Sequence, residues 1–294
     1  MSESEAKKPK APISLSSGDA LDLSSASAIT ATARARLIVI AGAEASGKTT
    51  LITALYESFQ AGAFAGFLFG GSSSLAGFEQ RCYRARIASG ADVADTTRTK
   101  IDQPRFLHLI VRKSETGDGR QHLLISDIAG EVFRLARDST TECKKLGFLV
   151  RADTLVVLVD GEKLAVLKTR AEATTDAFSL IRSCLDAEMV GAATNLMIVV
   201  TKWDEVQAAG ESATGYVDHM DAEAALRFRS RVKRLSFLRI AARPRSGRGL
   251  VFAYGCDQLL KEWVEHLNGA TPLMPSSSTP VRQIERFTTL HKAT

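Results

Sequence analysis

A glycine-rich octapeptide between an apolar run and a helical pattern constrains the fold of this chain more than any other feature of its sequence. Residues 42–49, GAEASGKT, fit the pattern GxxxxGK[ST] in full. The preceding residues, Arg36–Ala41, are mostly apolar, which predicts a strand, and apolar residues recur at helical spacing from Lys48 to about Gln60. A strand, this loop and a helix in direct succession predict a Walker A phosphate-binding loop.

The residue types in this loop suit the binding of a nucleoside triphosphate. Gly42 and Gly47 let the backbone curl so that successive N–H groups point at phosphate oxygens, and the helix N-terminus adds its partial positive charge. We expect Lys48 to reach the β- and γ-phosphates as a point charge and the Thr49 hydroxyl to ligate Mg²⁺. The predicted nucleotide-binding residues of the loop are Gly42, Glu44, Ala45, Ser46, Gly47, Lys48, Thr49 and Thr50.

Short apolar runs alternate with helical patterns along the rest of the chain. Further strands are predicted at Phe106–Arg112, Leu123–Asp127, Thr154–Asp160, Leu196–Thr201 and Phe237–Ala242. Helices are predicted at Ala165–Val190, Ala222–Leu235 and Asp257–Leu267. A Thr-Gly-Asp-Gly turn at 116–119 predicts an antiparallel hairpin between the first two of these strands. Apolar strands separated by helices predict an α/β P-loop NTPase fold, a mostly parallel sheet with helices on both faces.

A carboxylate ends one of the predicted strands, and a glycine follows three residues later. In Asp127-Ile128-Ala129-Gly130 the carboxylate stands where a phosphate-binding loop needs a second anchor for Mg²⁺, which Asp127 would hold through a water. Gly130 has no side chain, so its backbone N–H can come close to the γ-phosphate. The sequence therefore predicts Thr49 and Asp127 as metal ligands and Gly130 as part of the catalytic site.

A long insertion in the switch region, about residues 62–100, separates the phosphate-binding loop from this carboxylate, and it contains a predicted extra helix at Leu75–Arg86. We expect a threonine near its end to reach Mg²⁺ and the γ-phosphate in the triphosphate state. The candidates are Thr96, Thr97 and Thr99. Thr99 is preferred, as catalytic residue and metal ligand, because it is nearest to the next strand. Arg98 is either an arginine finger in cis or a solvated side chain.

A second recognition motif, Thr201-Lys202-Trp203-Asp204, follows a predicted strand and fits the pattern [NT]KxD. The Asp204 carboxylate can accept hydrogen bonds from N1–H and N2–H₂ of guanine. Adenine has no such donor pair and would leave the carboxylate unpaired, at a cost of about 1–3 kcal/mol. The stem of Lys202 can lie along the purine face. Further on, the Ala242 N–H is expected at guanine O6 with Arg243 beside the base, and residues 253–255, AYG, are the alternative.

Together these four motifs resemble those of translation-factor and Ras-class (TRAFAC) GTPases over about residues 36–268. FLFGGSSSL…GFEQR, Arg98-Thr99, Asp127–Glu131 and Ile240–Pro244 make the chain most similar to double-GTPase-type domains of bacterial conflict and defence loci. The resemblance implies a GTPase that hydrolyses GTP to GDP with Mg²⁺ as cofactor. It also implies a molecular switch in a bacterial multi-component system, with a protein partner at the switch region.

One residue departs from the pattern that the resemblance implies. The usual residue after the DxxG motif is Gln, which positions the attacking water, and here it is Glu131. A carboxylate can accept a hydrogen bond from water but cannot donate one to the γ-phosphate, and its charge opposes that of the phosphate. Three interpretations of Glu131 stay open: slow hydrolysis that needs a partner, a catalytic base, or a cap of the following helix.

Both ends of the chain differ in composition from its middle. Eight of the first 30 residues are serine, and residues 270–294 contain three prolines and a serine run. We therefore expect disordered or flexible tails at 1–33 and 270–294, with a GTPase domain at 34–269. The first ten residues contain no apolar segment and the longest apolar runs are short, so we expect no secretory signal, no transmembrane segment and a cytoplasmic protein.

Charge and cysteine content exclude some other functions. The formal net charge is +5, yet residues 227–248 hold nine Lys and Arg and no Asp or Glu. Phe228 and Phe237 are the aromatic residues in this basic stretch and both are expected to face inward, so we favour a solvated helix face over a nucleic-acid site. Four cysteines without CxxC spacing predict buried or idle thiols instead of a zinc site.

Two other functions stay open at this point. A non-hydrolysing module that binds GTP for assembly is compatible with Glu131. An ATP-using P-loop enzyme is the other alternative, and the guanine-reading motif at 201–204 argues against it.

Overall fold

A seven-stranded sheet forms the centre of the fold in the computed structural model, which describes residues 17–88, 104–115 and 119–265. Its strands are β1 Ala35–Gly42, β2 Phe67–Gly71, β3 Arg105–Lys113, β4 Gln121–Asp127, β5 Thr154–Asp160, β6 Asn195–Thr201 and β7 Arg234–Arg239. They are ordered β2-β3-β4-β1-β5-β6-β7 across the sheet. Strands β4, β1, β5, β6 and β7 are parallel, and β3 is antiparallel to both β2 and β4. The predicted α/β fold, mostly parallel sheet and β3–β4 hairpin are confirmed.

Helices cover both faces of this sheet. They are α1 Leu23–Thr32, α2 Lys48–Ala61, α3 Leu75–Ala88, α4 Gly130–Asp138, α5 Thr140–Lys144, α6 Gly161–Ala165, α7 Leu167–Asp186, α8 Trp203–Ala208, α9 Glu211–Phe228 and α10 Cys256–Glu265. Val39 and Ala41 of β1 share a core cluster with Phe133 of α4 and Phe178 of α7. Because side chains alternate along a strand, Ile38 and Ile40 point to the opposite face, and α2 packs on β1 there.

The carboxyl ends of the parallel strands meet at one edge of the sheet. Gly42 at the end of β1 is in register with Leu158 of β5, and Asp160 at the end of β5 is in register with Thr201 of β6. Loops that follow these strands are therefore neighbours, although they are far apart in the chain. This edge is where ligands bind in open parallel sheets.

Residues 17–33 differ from the disordered tail expected for residues 1–33. Leu21 and Phe106 exchange two backbone hydrogen bonds of 2.8 and 2.9 Å, which fix this segment to β3. Asp22 then caps α1 by accepting a hydrogen bond of 2.8 Å from the Ser25 N–H, and Ala26 is buried. Its apolar residues follow no clear helical period, which hid this helix from the sequence analysis. Besides the backbone bonds and the cap, Ala26 shares a buried cluster with Phe106 and Leu124. Residues 1–16 lie outside the described residues.

The insertion between β1 and β3 contains a strand that the sequence analysis did not predict. Residues 67–71 form β2, which pairs with β3 through Phe67 opposite Lys113, with an irregularity between Phe69 and Gly71. Two glycines in FLFGG weaken the strand signal, and the pairing partner that overrides it is distant in sequence. The predicted helix at Leu75–Arg86 is confirmed as α3.

The predicted helix at 222–235 and strand at 237–242 were wrong in their boundaries. Helix α9 begins at Glu211 and ends at Phe228, and Leu235 lies in β7, opposite Leu196 of β6. A 3-10 turn at Arg229–Arg231 breaks the helix before the strand. A short apolar segment can be read as a strand or as part of a helix, and pairing with β6 decided in favour of the strand here.

The contacts divide the chain into two units, Met1–Trp263 and Val264–Thr294. Residues 266–294 lie outside the described residues, so the predicted boundary at 269 and the tail at 270–294 stay predictions. The four cysteines are buried thiols, as predicted. No helix in the described part of the chain has the length and apolar character needed to cross a membrane.

Candidate functional site

The predicted phosphate-binding loop leaves β1 at Gly42 and enters α2 at Lys48. A Cβ on Gly42 would lie 2.7 Å from Ser46 Oγ and 3.1 Å from the Leu158 carbonyl oxygen, so a larger residue would crowd both the loop and β5. Gly47 has a φ of 91° and Ala45 a φ of 60°, both in the left-handed region. Glu44 and Ala45 are exposed at the tip, whereas Ser46 is buried. The loop therefore has its tight curl in the protein chain alone.

Lys48 lies across the mouth of this loop. Its Nζ donates hydrogen bonds of 2.9 Å to the Gly42 carbonyl and 2.7 Å to the Ala43 carbonyl. Burial lowers the pKa of Lys48 to about 8, although Asp127, Glu131 and Glu44 act in the opposite direction. An ammonium group has three donors, so one remains for a phosphate oxygen. Thr49 and Thr50 follow in the first turn of α2 and are half-buried.

The DxxG segment packs directly on this loop. Asp127 ends β4 and is 4% exposed, and Gly130 begins α4. A Cβ on Gly130 would lie 2.6 Å from the Glu44 backbone nitrogen, so any other residue would push the two segments apart. Glu131 lies in the first turn of α4 and lines a cavity of 310 Å³ between the loop, α4 and α7. Lys48, Asp127, Gly130 and Glu131 are thus neighbours at one edge of the sheet.

Asp127 has a partner that the sequence analysis missed. Arg81 of α3 donates from Nε to Asp127 Oδ2 at 2.9 Å, and its Nη2 also donates to Oδ2. The two residues are 46 positions apart and belong to no shared motif. The predicted metal ligands nevertheless suit Mg²⁺, because a hydroxyl and a carboxylate are hard oxygen donors. No cluster of three or more His, Cys, Asp or Glu suited to a metal occurs among the described residues.

The guanine-reading motif lies at the end of β6, beside the phosphate loop. Asp204 is 3% exposed, and its Oδ2 accepts a hydrogen bond of 2.9 Å from the Arg245 backbone N–H. Because Gly47 lies against Thr201, where an added Cβ would be 3.7 Å from Thr201 Cβ, the two motifs are in contact. The carboxylate is held in one orientation before a base arrives.

Lys202 is held by two carboxylates that the sequence analysis did not single out. Its Nζ lies 3.0 Å from Asp160 Oδ1 and 2.8 Å from Glu162 Oε2. Burial alone would lower the pKa of Lys202, but these carboxylates outweigh it and the pKa is raised. Gly161 lies between them, and a Cβ there would be 2.0 Å from the Thr201 carbonyl oxygen. An Asp-Gly pair directly after an apolar strand was the available signal.

The two alternatives for the last base contact lie against each other. Ala241 donates to the Tyr254 carbonyl at 3.0 Å, and Ala253 donates to the Ala242 carbonyl at 3.1 Å. Arg243 donates to both oxygens of Glu57 in α2 at 2.7 Å, and its guanidinium carbon lies 5.5 Å from the Phe252 ring centroid. Both segments therefore flank the guanine-reading motif, and Arg243 is tethered to α2.

The family comparison follows from this arrangement of motifs. A family model described as Double-GTPase 2 matches residues 36–264. The chain belongs to the Double-GTPase 2 family. The resemblance to double-GTPase domains is thereby confirmed, and the chain is a GTP-binding protein with the P-loop NTPase fold. No curated protein matches the chain.

Solved structures with a similar fold share little sequence with this family member. It is 13% identical to the signal recognition particle receptor SRb from Chaetomium thermophilum, in a complex of SRb-GTP with SRX, covering 72% of this chain and 93% of that chain with a TM-score of 0.39. It is 14% identical to the cytosolic domain of the T. maritima FeoB iron transporter in its GMPPNP form, covering 81% of this chain and 65% of that chain with a TM-score of 0.40. It is 15% identical to elongation factor SelB from Methanococcus maripaludis with the GTP analogue GPPNHP, covering 83% of this chain and 36% of that chain with a TM-score of 0.38.

The predicted switch residues fall outside the described part of the family member. Thr96, Thr97, Arg98 and Thr99 lie within residues 89–103, so the choice of Thr99 stays a prediction.

The basic stretch at 227–248 is largely paired with acidic residues. Seven of its nine basic side chains form ion pairs, and these are Arg227, Arg231, Arg234, Arg239, Arg243, Arg245 and Arg248. Arg245 and Arg248 both contact Glu205, next to the guanine-reading Asp204. Much of the local positive charge is therefore neutralised within the fold, and part of it braces the predicted base pocket.

Proposed function

We propose that this protein hydrolyses GTP to GDP with Mg²⁺ and works as a molecular switch. Its setting would be the cytoplasm, within a bacterial multi-component system, with a protein partner contacting the switch region. Nucleic acid is not proposed as a ligand, because the basic side chains at 227–248 are mostly occupied by carboxylates. The proposal extends the family membership to a reaction and to named residues.

The observation that carries the proposal is the contact between the phosphate loop and the guanine-reading motif. Gly47 lies against Thr201, so a ligand that reaches Asp204 with its base would extend along the loop toward Lys48. At the base end, the Arg245 N–H orients the buried Asp204 carboxylate. At the other end, Lys48 has a donor to spare. A guanine nucleotide matches both ends, whereas adenine would leave Asp204 unpaired.

Thr49 and Asp127 would hold Mg²⁺, with Thr99 as the predicted third contact from the switch. When bound, the ion would supply positive charge to the phosphates and so favour the loss of the γ-phosphoryl group. Lys48 would stabilise the same charge from the β/γ side, and the Gly130 N–H would donate to a γ-phosphate oxygen.

In the proposed reaction a water attacks the γ-phosphorus in line with the leaving oxygen. A bond forms between the water oxygen and phosphorus while the bond from phosphorus to the β–γ bridging oxygen breaks, which yields GDP and inorganic phosphate. Glu131 follows Gly130 in the first turn of α4 and lies close enough to Lys48 to act on its pKa, which supports placing it near this water. As a carboxylate it would accept a hydrogen bond from the water and donate none to the phosphate.

Two measurements test the proposal. Chromatography of the nucleotide released from the purified protein should identify GDP or GTP and no adenine nucleotide. A single-turnover assay with labelled GTP and Mg²⁺ should then yield GDP and phosphate, and excess ATP should not compete. Effective competition by ATP would reject the guanine assignment in favour of an ATP-using enzyme.

A second function is favoured by one residue. Glu131 would place a negative charge where developing negative charge must be stabilised, so the protein could bind GTP for assembly without hydrolysing it. This alternative is selected if bound GTP stays intact through a single-turnover assay, both at low protein concentration and at a high concentration that lets copies of the chain associate.

A further inference from the structure

An arginine from the insertion occupies the carboxylate that is predicted to anchor Mg²⁺. Arg81 donates from both Nε and Nη2 to one oxygen of Asp127, and its Nη1 donates to the Gly77 carbonyl at 2.7 Å. All three nitrogens of the guanidinium group are therefore engaged. The side chain is held in one position by its own helix and by Asp127.

The helix that carries Arg81 is itself firmly packed. Phe78 is 1% exposed and stacks on Tyr56 of α2 with ring centroids 5.0 Å apart. Glu79 accepts hydrogen bonds from the Tyr56 hydroxyl at 2.6 Å and from Gln60 at 2.8 Å. Because α2 begins at the phosphate loop, α3 and this loop are connected through one packed helix pair. Arg81 is thus presented to the site by a rigid element.

Charge balance explains why Asp127 needs a cation. Its side chain is 5% exposed, and an ionised carboxylate with so little solvent is stable only when it is paired. Arg81, with 15% of its side chain exposed, supplies that charge in the structure described here. A divalent ion near Asp127 would supply the same compensation more strongly. It would also repel the guanidinium group, which is hydrogen-bonded to the same carboxylate.

We propose that Arg81 and Mg²⁺ are alternative counter-cations of Asp127, so that Arg81 positions this carboxylate in the metal-free protein and must leave when the metal binds. This inference rests on the proposed Mg²⁺-dependent binding of guanine nucleotide. Its consequence is that Arg81 sets the concentration of Mg²⁺ needed to retain nucleotide. A second consequence is that the contact between α3 and Asp127 depends on whether the metal is bound.

The test uses the full-length protein, a fluorescent GDP analogue, and free Mg²⁺ varied with a chelator. The variants are Arg81→Gln, Arg81→Lys and the control Arg227→Gln, which removes an arginine–glutamate pair from the exposed side of α9. We expect the Mg²⁺ concentration that gives half-maximal slowing of GDP release to fall about tenfold in Arg81→Gln, since a charged competitor is removed. Arg81→Lys should lie between, and Arg227→Gln should match the wild type.

An unchanged or higher half-point in Arg81→Gln would overturn the inference, because Arg81 would then be neutral toward the metal or help to build its site. A purely structural role is separated by thermal unfolding in chelator without nucleotide. There, Arg81→Gln and Asp127→Asn should each lower the Tm, and the double variant should lose less than the sum of the two. Additive losses would show that the pair is not coupled and would also overturn the inference.

Failure of the proposed function gives a different result. If neither the wild type nor Arg227→Gln retains the GDP analogue at any Mg²⁺ concentration, guanine-nucleotide binding is rejected. Competition for Asp127 is then decided by the Mg²⁺ dependence of the Tm. Competition is supported if the Mg²⁺ concentration that gives half of the maximal rise in Tm is about tenfold lower in Arg81→Gln than in the wild type. Equal Mg²⁺ concentrations reject it.

Discussion

Gly130 and Glu44 meet backbone to backbone: a Cβ on Gly130 would lie 2.6 Å from the Glu44 nitrogen and 3.0 Å from its Cα. The N-terminus of α4 therefore rests on the tip of the predicted phosphate loop with no side chain between them. A phosphate bound in the loop would lie next to the Gly130 N–H, and a shift of either segment would be felt by the other. This contact joins the loop to the helix that begins at the DxxG motif.

Gly130→Ala should weaken GTP binding by about tenfold or more and lower the Tm, because the added methyl group forces the loop and α4 apart. The matched control is Gly147→Ala, since a Cβ on Gly147 meets nothing within 4 Å. Isothermal titration and thermal unfolding of both variants check this. If Gly130→Ala binds GTP with wild-type affinity, the contact between α4 and the loop is not needed for binding.

Lys48→Ala should abolish nucleotide binding, because Lys48 lies across the loop with an ammonium donor available for phosphate. Lys145→Ala is the control, since Lys145 is exposed and pairs with Glu142 away from the site. Equilibrium binding of fluorescent GDP measures the effect. Normal affinity in Lys48→Ala would reject the phosphate-loop assignment.

Nucleotide binding should take up a proton at alkaline pH. Burial lowers the pKa of Lys48 to about 8 in the free protein, so at pH 8.5 about three-quarters of the protein has a neutral Lys48. Phosphate oxygens favour the charged form and raise that pKa, which draws a proton from solution. Titrations in buffers of different ionisation enthalpy should show uptake of up to about three-quarters of a proton at pH 8.5 and almost none at pH 6.5.

The same pKa fixes the sign of one effect on stability. Between pH 8 and the ordinary pKa of lysine, the unfolded chain binds more protons at this residue than the folded chain does. The Lys48 contribution to the free energy of unfolding of the nucleotide-free protein therefore rises with pH across this range. Loss of this rise in Lys48→Ala, measured by denaturant unfolding at pH 8 and 9.5, would assign it to Lys48.

Asp204→Asn should change base preference from guanine to xanthine. The Asn carbonyl can keep the 2.9 Å bond from the Arg245 N–H, while its amide presents a donor where guanine also has donors. Competition of GTP and XTP for the site measures the change, which should be about tenfold or more in each direction. Asp218→Asn, at an exposed residue of α9, is the control. A retained preference for GTP would place base reading elsewhere.

Glu131→Gln should speed single-turnover hydrolysis by the isolated protein, because Gln can accept from the water and also donate to the phosphate. Restoring one transition-state donor is typically worth about 10²–10³ in rate. Glu172→Gln is the control, since Glu172 lines the same cavity from α7. A sharp loss of rate would instead identify Glu131 as the catalytic base. An unchanged rate would mean that Glu131 only stabilises the N-terminus of α4.

The local motifs and the central strands could be predicted from the sequence alone. Strands β1, β5 and β6 are buried on both faces, so their apolar runs are continuous and their ends fall within two residues of the prediction. The phosphate loop was equally readable, because its strand, glycines and helix are consecutive in the chain. Strand β2 and the ends of α9 were not, since pairing with β3 and β6 overrides weak local preferences.

The charged residues that meet at the site could be identified only in the folded chain. Arg81 reaches Asp127 across 46 positions, Lys202 reaches Asp160 across 42, and Arg243 reaches Glu57 across 186. None of these pairs has a spacing that a helix or strand period could reveal. They form because parallel strands bring their carboxyl ends to one edge, and helices α2 and α3 pack beside it. The loop that would hold phosphate is encoded in consecutive residues and can be recognised in the sequence. The partners of its charged neighbours come from distant segments, so only the fold reveals them.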